Sequence, residues 1–149
     1  MQTTFIMVKP DGVQRGLVGE IISRFERKGL RLVALKSIIP SEELASQHYA
    51  VHEQRPFYPG LIRFITSGPV VAMAWTGSEA ISVSRTLIGV TDSRNAAPGT
   101  IRGDLGMDMG YNLVHGSDGE DTAASELALW FPEGVNEWTP DRERWVYES

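Results

Sequence analysis

The pattern of apolar and polar positions divides the chain into alternating predicted strands and helices. Apolar runs predict strands at residues 3–8, 30–39, 70–75 and 111–114. The first run is apolar from Phe5 to Val8, which is typical of a strand buried on both faces. Apolar residues at helical spacing, with capping residues beside them, predict helices at 18–28, 42–53, 61–66, 79–88 and 120–130.

Residues between these elements have turn or capping chemistry. Lys9-Pro10-Asp11-Gly12 predicts a break after the first strand. Ser41 and Ser78 are predicted N-caps, and Gly29 is the predicted C-terminal stop of the first helix. Residues 89–111 are rich in glycine and predict one long loop, a length that is usually functional or disordered.

Four strands separated by helices favour a ferredoxin-like, split βαβ sandwich over a doubly wound sheet, which normally has five or more strands. A length of 149 residues without an internal repeat fits a single domain, 1–149. The turn-rich tail from Pro132 still carries aromatic residues, which predicts that it packs against another surface, including a second subunit.

Composition excludes several classes of function. The chain has no cysteine, which rules out thiol nucleophiles and cysteine-ligated zinc and favours a cytoplasmic protein. The net charge is −5, so a nucleic acid is not an expected partner, and any anionic ligand needs a local cluster of cations. No apolar run is long enough for a membrane span, and no secretory signal is recognisable. The sequence also lacks the P-loop, the dinucleotide-binding glycine motif and the G-x-S-x-G motif.

The most informative histidine is His115, at the end of the last predicted strand. Glu126 follows eleven residues later in the next predicted helix, where its carboxylate can face the ring and set its tautomer. An imidazole that is neutral near pH 7 is a nucleophile without a separate base. The alternative is a core histidine bonded to a backbone carbonyl.

His48 and His52 lie four residues apart on one predicted helix and are expected to share a face. They are interpreted first as surface or pocket-wall residues. The alternative is a zinc site formed with His115, which would make the protein a metal-dependent hydrolase.

Donor side chains suited to phosphate surround the glycine-rich segment. Lys9 ends the first strand, Arg85 lies on the helix before the segment, and Thr91 and Arg102 lie within it. Phe57, in a proline-flanked loop, can stack on a nucleobase. Taken singly, each arginine is better explained as a solvated surface charge, and Phe57 as an ordinary core residue.

Together these residues closely resemble the nucleoside diphosphate kinase family, in order from about residue 3 to 131. The resemblance rests on V-K-P-D-G at 8–12, R-P-F at 55–57, S-G-P-V-V-A-M at 67–73, P-G-T-I-R-G-D at 98–104, N-L-V-H-G-S-D at 112–118 and E-L-A-L-W-F at 126–131. It implies a ferredoxin-like βαββαβ sandwich with an antiparallel four-stranded sheet and added helices. It also implies transfer of the γ-phosphoryl group of ATP or another nucleoside triphosphate to nucleoside diphosphates. The implied mechanism is ping-pong, through a phosphohistidine, with Mg²⁺ held mainly by the nucleotide phosphates and with broad base specificity.

The resemblance also implies a role for each matching residue. His115 corresponds to the phosphorylated residue, Glu126 to the carboxylate that holds its other nitrogen, and Ser117 to the hydroxyl bonded to that carboxylate. Lys9 and Asn112 correspond to the pair at the ribose 3′-hydroxyl. The phosphate-facing group corresponds to Tyr49, His52, Arg85, Thr91 and Arg102, and the base-stacking group to Phe57 bordered by Leu61.

The family is also oligomeric, and a hexamer is favoured here over a tetramer. Three positions depart from the family pattern: Asp92-Ser93 replaces a common Asn-Pro, Tyr111 replaces a frequent basic residue, and Met109 replaces a frequent valine. A non-catalytic nucleotide-binding module on the same fold is a further alternative, which the pairing of His115 with Glu126 disfavours.

Overall fold

A four-stranded sheet forms the centre of the protein in the computed structural model, which describes residues 1–148. The strands are β1 (Gln2–Val8), β2 (Arg31–Ile38), β3 (Val70–Gly77) and β4 (Val114–Gly116). Their order is β2-β3-β1-β4, and each neighbouring pair is antiparallel. This topology confirms the predicted ferredoxin-like α+β sandwich. The short strand β4 lies at one edge of the sheet, beside β1.

In the described part of the chain, seven α-helices connect and cover the strands. They are α1 (Pro10–Gln14), α2 (Val18–Lys28), α3 (Glu42–His48), α4 (Tyr58–Ile65), α5 (Ala80–Ile88), α6 (Ile101–Leu105) and α7 (Glu120–Trp130). Short 3₁₀ turns lie at Ala50–His52, Ser93–Asn95 and Asp141–Trp145. Within residues 1–148, no helix has both the length and the apolar character that crossing a bilayer requires.

Two apolar clusters bury the two faces of the sheet. Successive side chains of a strand point to opposite faces, so Ile6 and Val8 join one cluster while Phe5 and Met7 join the other. The first cluster takes residues from α2 and α5, and the second takes residues from α3, α4 and α7. Both faces of β1 are therefore covered, as the sequence predicted, and its residues from Thr4 to Val8 are all buried.

Several predicted elements agree closely with the structure. The helices α2 and α7 have the predicted bounds, and Gly29 ends α2 with a φ of 110°, in the region that glycine adopts without strain. The Ser41 hydroxyl caps α3 by accepting a hydrogen bond from the N–H of Leu44 at 3.1 Å.

Other predictions were wrong in detail. The break at Lys9–Gly12 is the start of α1, because Pro10 is favourable at a first helical position. Ser78 is not a cap, since Glu79 precedes α5 in a left-handed conformation with a φ of 51°. The glycine-rich loop contains α6, which the Thr100 hydroxyl caps through the N–H of Gly103. The predicted helices at 42–53 and 61–66 correspond to α3, which ends at His48, and to α4, which begins at Tyr58.

The last strand also begins later than predicted, at Val114 instead of Tyr111, so His115 is its central residue. The C-terminal tail packs along β2, which forms the other edge of the sheet. The N–H of Asn136 donates to the Val33 carbonyl at 2.8 Å, and the Trp138 indole N–H donates to the Leu32 carbonyl at 3.0 Å. The tail therefore covers part of its own sheet, while Trp145 stays exposed.

Candidate active site

His115 occupies an edge strand, which makes its side chain accessible. It is paired with Met7 of β1, and its side chain is 24 % exposed. A cavity of about 680 Å³ opens beside it, lined among others by Tyr49, His52, Arg85 and Glu126. The strand thus presents an imidazole to a cleft large enough for a small ligand.

Glu126 anchors one nitrogen of the His115 ring. Its Oε2 lies 2.8 Å from His115 Nε2, and the Ser117 hydroxyl donates to Oε1 at 2.6 Å. The predicted contact between His115 and Glu126 is therefore present. A carboxylate at this position assigns the proton to Nε2, so the lone pair lies on Nδ1, the atom that can act as a nucleophile.

The charge of Glu126 is stabilised despite its burial. Burial raises the pKa of this carboxyl, but the hydrogen bond and charge of His115, together with the Ser117 hydroxyl, outweigh that effect and lower the pKa below its usual value. The group therefore remains a carboxylate near neutral pH. A positive charge that develops on the imidazole is stabilised by this carboxylate.

His48 forms the wall behind His115. Its ring centroid lies 4.8 Å from that of His115 in an edge arrangement, and its Nδ1 accepts the Trp130 indole N–H at 3.1 Å. Burial and the neighbouring His115 lower the pKa of His48 to about 4, although Glu126 opposes the shift. A neutral ring adds no charge to the site. The contact of His48 with Trp130 was not predictable from the sequence, because the two residues lie 82 positions apart.

The geometry does not bring the three histidines together as a zinc site. His48, His115 and Glu126 place one ligand atom each within 4.8 Å of one another, but His52 is not part of this group. The reason is that α3 ends at His48, and His52 lies in the following 3₁₀ turn. The prediction that His48 and His52 share one helical face was wrong, whereas their interpretation as pocket-wall residues agrees with the cavity lining.

Arg85 and Arg102 each donate to the carbonyl of a residue next to His115 in the chain. Arg85 lines the cavity and donates to the Gly116 carbonyl at 3.1 Å. Arg102 is buried and donates to three carbonyls, those of Asn112, Gly89 and Val114, at 3.2, 3.0 and 2.7 Å. Burial and the charge of Arg85 lower the pKa of Arg102 to about 10. Two guanidinium groups close enough to repel each other are stabilised by an anion between them.

A second group of polar residues adjoins Arg102. Lys9 Nζ donates to the Gly110 carbonyl at 3.2 Å, and the Asn112 amide donates to the Thr91 carbonyl at 3.0 Å. Burial lowers the pKa of Lys9 to about 8, an effect that Asp11 offsets in part and Arg102 increases. Asn112 Oδ1 is a buried acceptor without a hydrogen-bond partner among the described residues.

Phe57 presents an aromatic face at the start of α4. It is 48 % exposed, with the His52 ring 5.4 Å and the Arg55 guanidinium 5.8 Å from its centroid. Leu61 lies one turn further along α4 and is partly buried. An exposed ring beside a charged cleft is suited to stacking on a planar ligand.

The fold and site therefore define a class of α+β proteins in which an imidazole, anchored by a carboxylate, lies among cations suited to phosphate. The family model described as nucleoside diphosphate kinase matches residues 2–135. A nucleoside diphosphate kinase of Synechococcus sp. (strain JA-3-3Ab) is 61 % identical over 150 residues, covering 99 % of this chain and 100 % of the relative. That of Prochlorococcus marinus (strain MIT 9303) is 59 % identical over 150 residues, covering 100 % and 99 %.

Comparison with solved structures points to the same family. A halophilic nucleoside diphosphate kinase from Halobacterium salinarum, in complex with CDP, superposes with a TM-score of 0.95 at 55 % identity, covering 99 % of each chain. The chain belongs to the nucleoside diphosphate kinase family. Its activity is the transfer of phosphate between nucleoside triphosphates and nucleoside diphosphates.

Proposed function

We propose that phosphate transfer proceeds through His115 as a covalent phosphohistidine. The observation that carries this proposal is the 2.8 Å contact between His115 Nε2 and Glu126, supported by Ser117. In the first half-reaction, the Nδ1 lone pair forms a bond to the γ-phosphorus, and the bond from that phosphorus to the β-phosphate oxygen breaks. The nucleoside diphosphate leaves with that electron pair. A terminal phosphate oxygen of a second nucleoside diphosphate then forms a bond to the phosphorus, and the bond between Nδ1 and the phosphorus breaks. Its electron pair returns to Nδ1 and restores the neutral ring.

The cations of the site supply charge compensation. A triphosphate brings about four negative charges, and phosphoryl transfer depends more on positioning and charge stabilisation than on covalent chemistry. Arg85 and Arg102 are bonded to the carbonyls of the two residues next to His115, so we assign them to the phosphates together with Tyr49, His52 and Thr91. Arg102 acts in a second way, because its three carbonyl contacts hold the backbone around His115.

We assign the ribose 3′-hydroxyl to Lys9 and Asn112, and the base to Phe57 with Leu61. Both residues adjoin Arg102, which supports the first assignment, because an ammonium and an amide N–H can each donate to a hydroxyl oxygen. The exposed ring of Phe57 supports the second. Stacking on an aromatic ring is tolerant of base identity because every base has a π-face.

Mg²⁺ is proposed to arrive with the nucleotide. The group formed by His48, His115 and Glu126 is rich in nitrogen donors, whereas Mg²⁺ prefers oxygen ligands and usually binds through substrate phosphates. When bound, the metal neutralises phosphate charge. The protein's own contribution is then the set of arginine, lysine and hydroxyl donors described above.

Initial-rate kinetics test the covalent route. With ATP and a nucleoside diphosphate varied together, we expect parallel lines in double-reciprocal plots, because the first product leaves before the second substrate binds. Intersecting lines would indicate a ternary complex with direct transfer between two bound nucleotides, and would contradict the phosphohistidine.

Broad base tolerance is a further prediction. Purine and pyrimidine diphosphates are expected to differ in kcat/KM by no more than about two orders of magnitude, since stacking is worth only about 1–3 kcal/mol per base. The CDP bound to the Halobacterium relative agrees with acceptance of a pyrimidine. Steady-state assays with ADP, GDP, CDP and UDP measure this, and a preference of many orders of magnitude for one base would contradict it.

The remaining assignments concern assembly and location. We propose that residues 1–149 function as one domain and that the chain forms a homo-oligomer, a hexamer in preference to a tetramer. The exposed Trp145 and the exposed Leu35 and Ile39 of the β2 region are consistent with subunit contacts. Sedimentation equilibrium distinguishes the two assemblies. The cytoplasmic location stays a prediction, which cell fractionation tests.

A further inference from the structure

The backbone is strained at Leu113, two residues before His115. Among residues 1–148, only Glu79 and Leu113 combine a non-glycine side chain with a positive φ, and the φ of Leu113 is 76°. The N–H of Val114 donates to the Asn112 carbonyl at 2.9 Å, which closes a γ-turn around Leu113. A γ-turn with a positive φ at its centre is rare and strained, so neighbouring contacts must hold it in place.

A glycine at position 113 would remove the backbone strain, but it would also remove a side chain that packs in the core. The Leu113 side chain is fully buried and belongs to the apolar cluster that contains Ile6 and Val8. The position therefore requires a large apolar side chain and a left-handed backbone together. Such a conflict persists only where the surrounding structure determines the conformation.

Asp11 supplies the contact that opposes relaxation of the turn. Its Oδ2 accepts the N–H of Leu113 at 3.0 Å, and the Leu113 carbonyl accepts the N–H of Lys9 at 2.9 Å. Both backbone polar groups of Leu113 are thus bonded to the segment that follows β1. Gly12 allows this approach, because a Cβ there would lie 2.9 Å from the Leu113 carbonyl oxygen.

The turn sets the direction of the groups on either side of it. On one side, Asn112 donates to the Thr91 carbonyl and leaves its Oδ1 unpartnered among the described residues. On the other side, β4 begins and carries His115. Arg102 donates to the Asn112 and Val114 carbonyls, which flank Leu113. Rotation of the turn would therefore move Asn112, His115 and the carbonyls that Arg102 contacts.

We propose that Asp11 is a positioning residue for phosphoryl transfer, whose carboxylate holds the strained Leu113 turn and thereby aims Asn112 and His115. The inference rests on the roles proposed above for those two residues. Asp11 acts through the backbone of Leu113, not on the nucleotide. Its charge also lies near Lys9 and Arg102, so the test must separate the hydrogen bond from the charge.

The variants Asp11→Ala and Asp11→Asn make that separation. Alanine removes the acceptor, so the turn can relax, and a displacement of about 1 Å is enough to lower kcat by up to about 100-fold. Asparagine keeps an acceptor oxygen without the charge. We expect Asp11→Ala to lower kcat by about 10- to 100-fold with a KM change below about threefold, and Asp11→Asn to stay within about threefold of wild type in kcat. Assays at about pH 6.5 keep Lys9 largely protonated.

Ser41→Ala is the matched control, because the Ser41 hydroxyl also accepts a backbone N–H, that of Leu44, at 3.1 Å. It is expected to lower Tm without lowering kcat. The proposal is overturned if Asp11→Ala loses only Tm, or if Asp11→Asn loses as much kcat as Asp11→Ala. If Asp11→Ala does not fold, the folded Asp11→Asn decides, and a tenfold loss of its kcat overturns the proposal.

A rapid-quench measurement of phosphoenzyme formation from ATP separates this inference from the proposed function. Slow phosphorylation of Asp11→Ala beside fast phosphorylation of the wild type and Ser41→Ala supports the positioning role. Equal rates in all three overturn that role while leaving the phosphohistidine intact. Absence of a phosphoenzyme in the wild type overturns both.

Discussion

Replacing His115 with alanine is expected to abolish phosphate transfer between nucleotides while the protein stays folded. The side chain is partly exposed on an edge strand and belongs to neither apolar cluster, so its removal leaves the core intact. Without Nδ1 the site has no group to carry the phosphoryl between the two nucleotides. Loss of a catalytic nucleophile lowers kcat by at least about four orders of magnitude, which a coupled assay with ATP and a nucleoside diphosphate measures.

Binding and stability serve as the controls for this variant. Because the proposed phosphate and base contacts come from other residues, His115→Ala is expected to bind ADP within a few-fold of the wild-type affinity by calorimetry. Its unfolding transition is expected to stay cooperative. Activity near the wild-type level in this variant would contradict the role of His115.

Replacing Arg102 with alanine is expected to lower both kcat and stability. Its guanidinium lies beside the backbone of His115 and faces the charge of Arg85, so its loss removes a preorganised donor near the transferred group. Such a loss costs about 10²–10³ in kcat. It also leaves the Gly89, Asn112 and Val114 carbonyls without this donor, which is expected to lower the free energy of unfolding by roughly 2–5 kcal/mol.

Arg24→Ala separates the two effects. Arg24 donates to the Gly99 carbonyl and pairs with Glu20 and Asp104, so its removal also disrupts arginine contacts, but without touching the backbone beside His115. We expect Arg24→Ala to lower Tm with kcat unchanged, as measured by thermal unfolding and steady-state kinetics. If Arg102→Ala changed only KM, the proposed stabilisation of the transition state would be wrong.

Much of the fold could be predicted because local and global preferences agree. The bounds of α2 follow from its apolar stripe and from Gly29, and α3 begins where the Ser41 cap predicts. The predicted elements were wrong where the residues of one short segment fit more than one kind of local structure. Lys9–Gly12 has turn chemistry, but Pro10 also fits a first helical position, and packing against β1 decides for a helix.

The candidate site was predictable in part. The eleven residues from His115 to Glu126 take the chain from the edge strand to the following helix. The Glu126 carboxylate on that helix contacts the His115 ring. The role of His48 was not predictable, because its partner Trp130 is distant in sequence and meets it only through packing on the sheet. The contacts of Asp11 with Leu113 and of Arg102 with three carbonyls depend on backbone geometry, which the side-chain pattern does not encode.

The most direct test of the account is the mass of the protein after brief exposure to ATP. We expect an increase of one phosphoryl group, lost in acid, kept in base, transferred to added nucleoside diphosphate and absent from His115→Ala. A phosphate that survives acid, or one that persists in His115→Ala, would place the group on another side chain and contradict the account. No mass change under conditions in which the protein turns over nucleotides would contradict it equally.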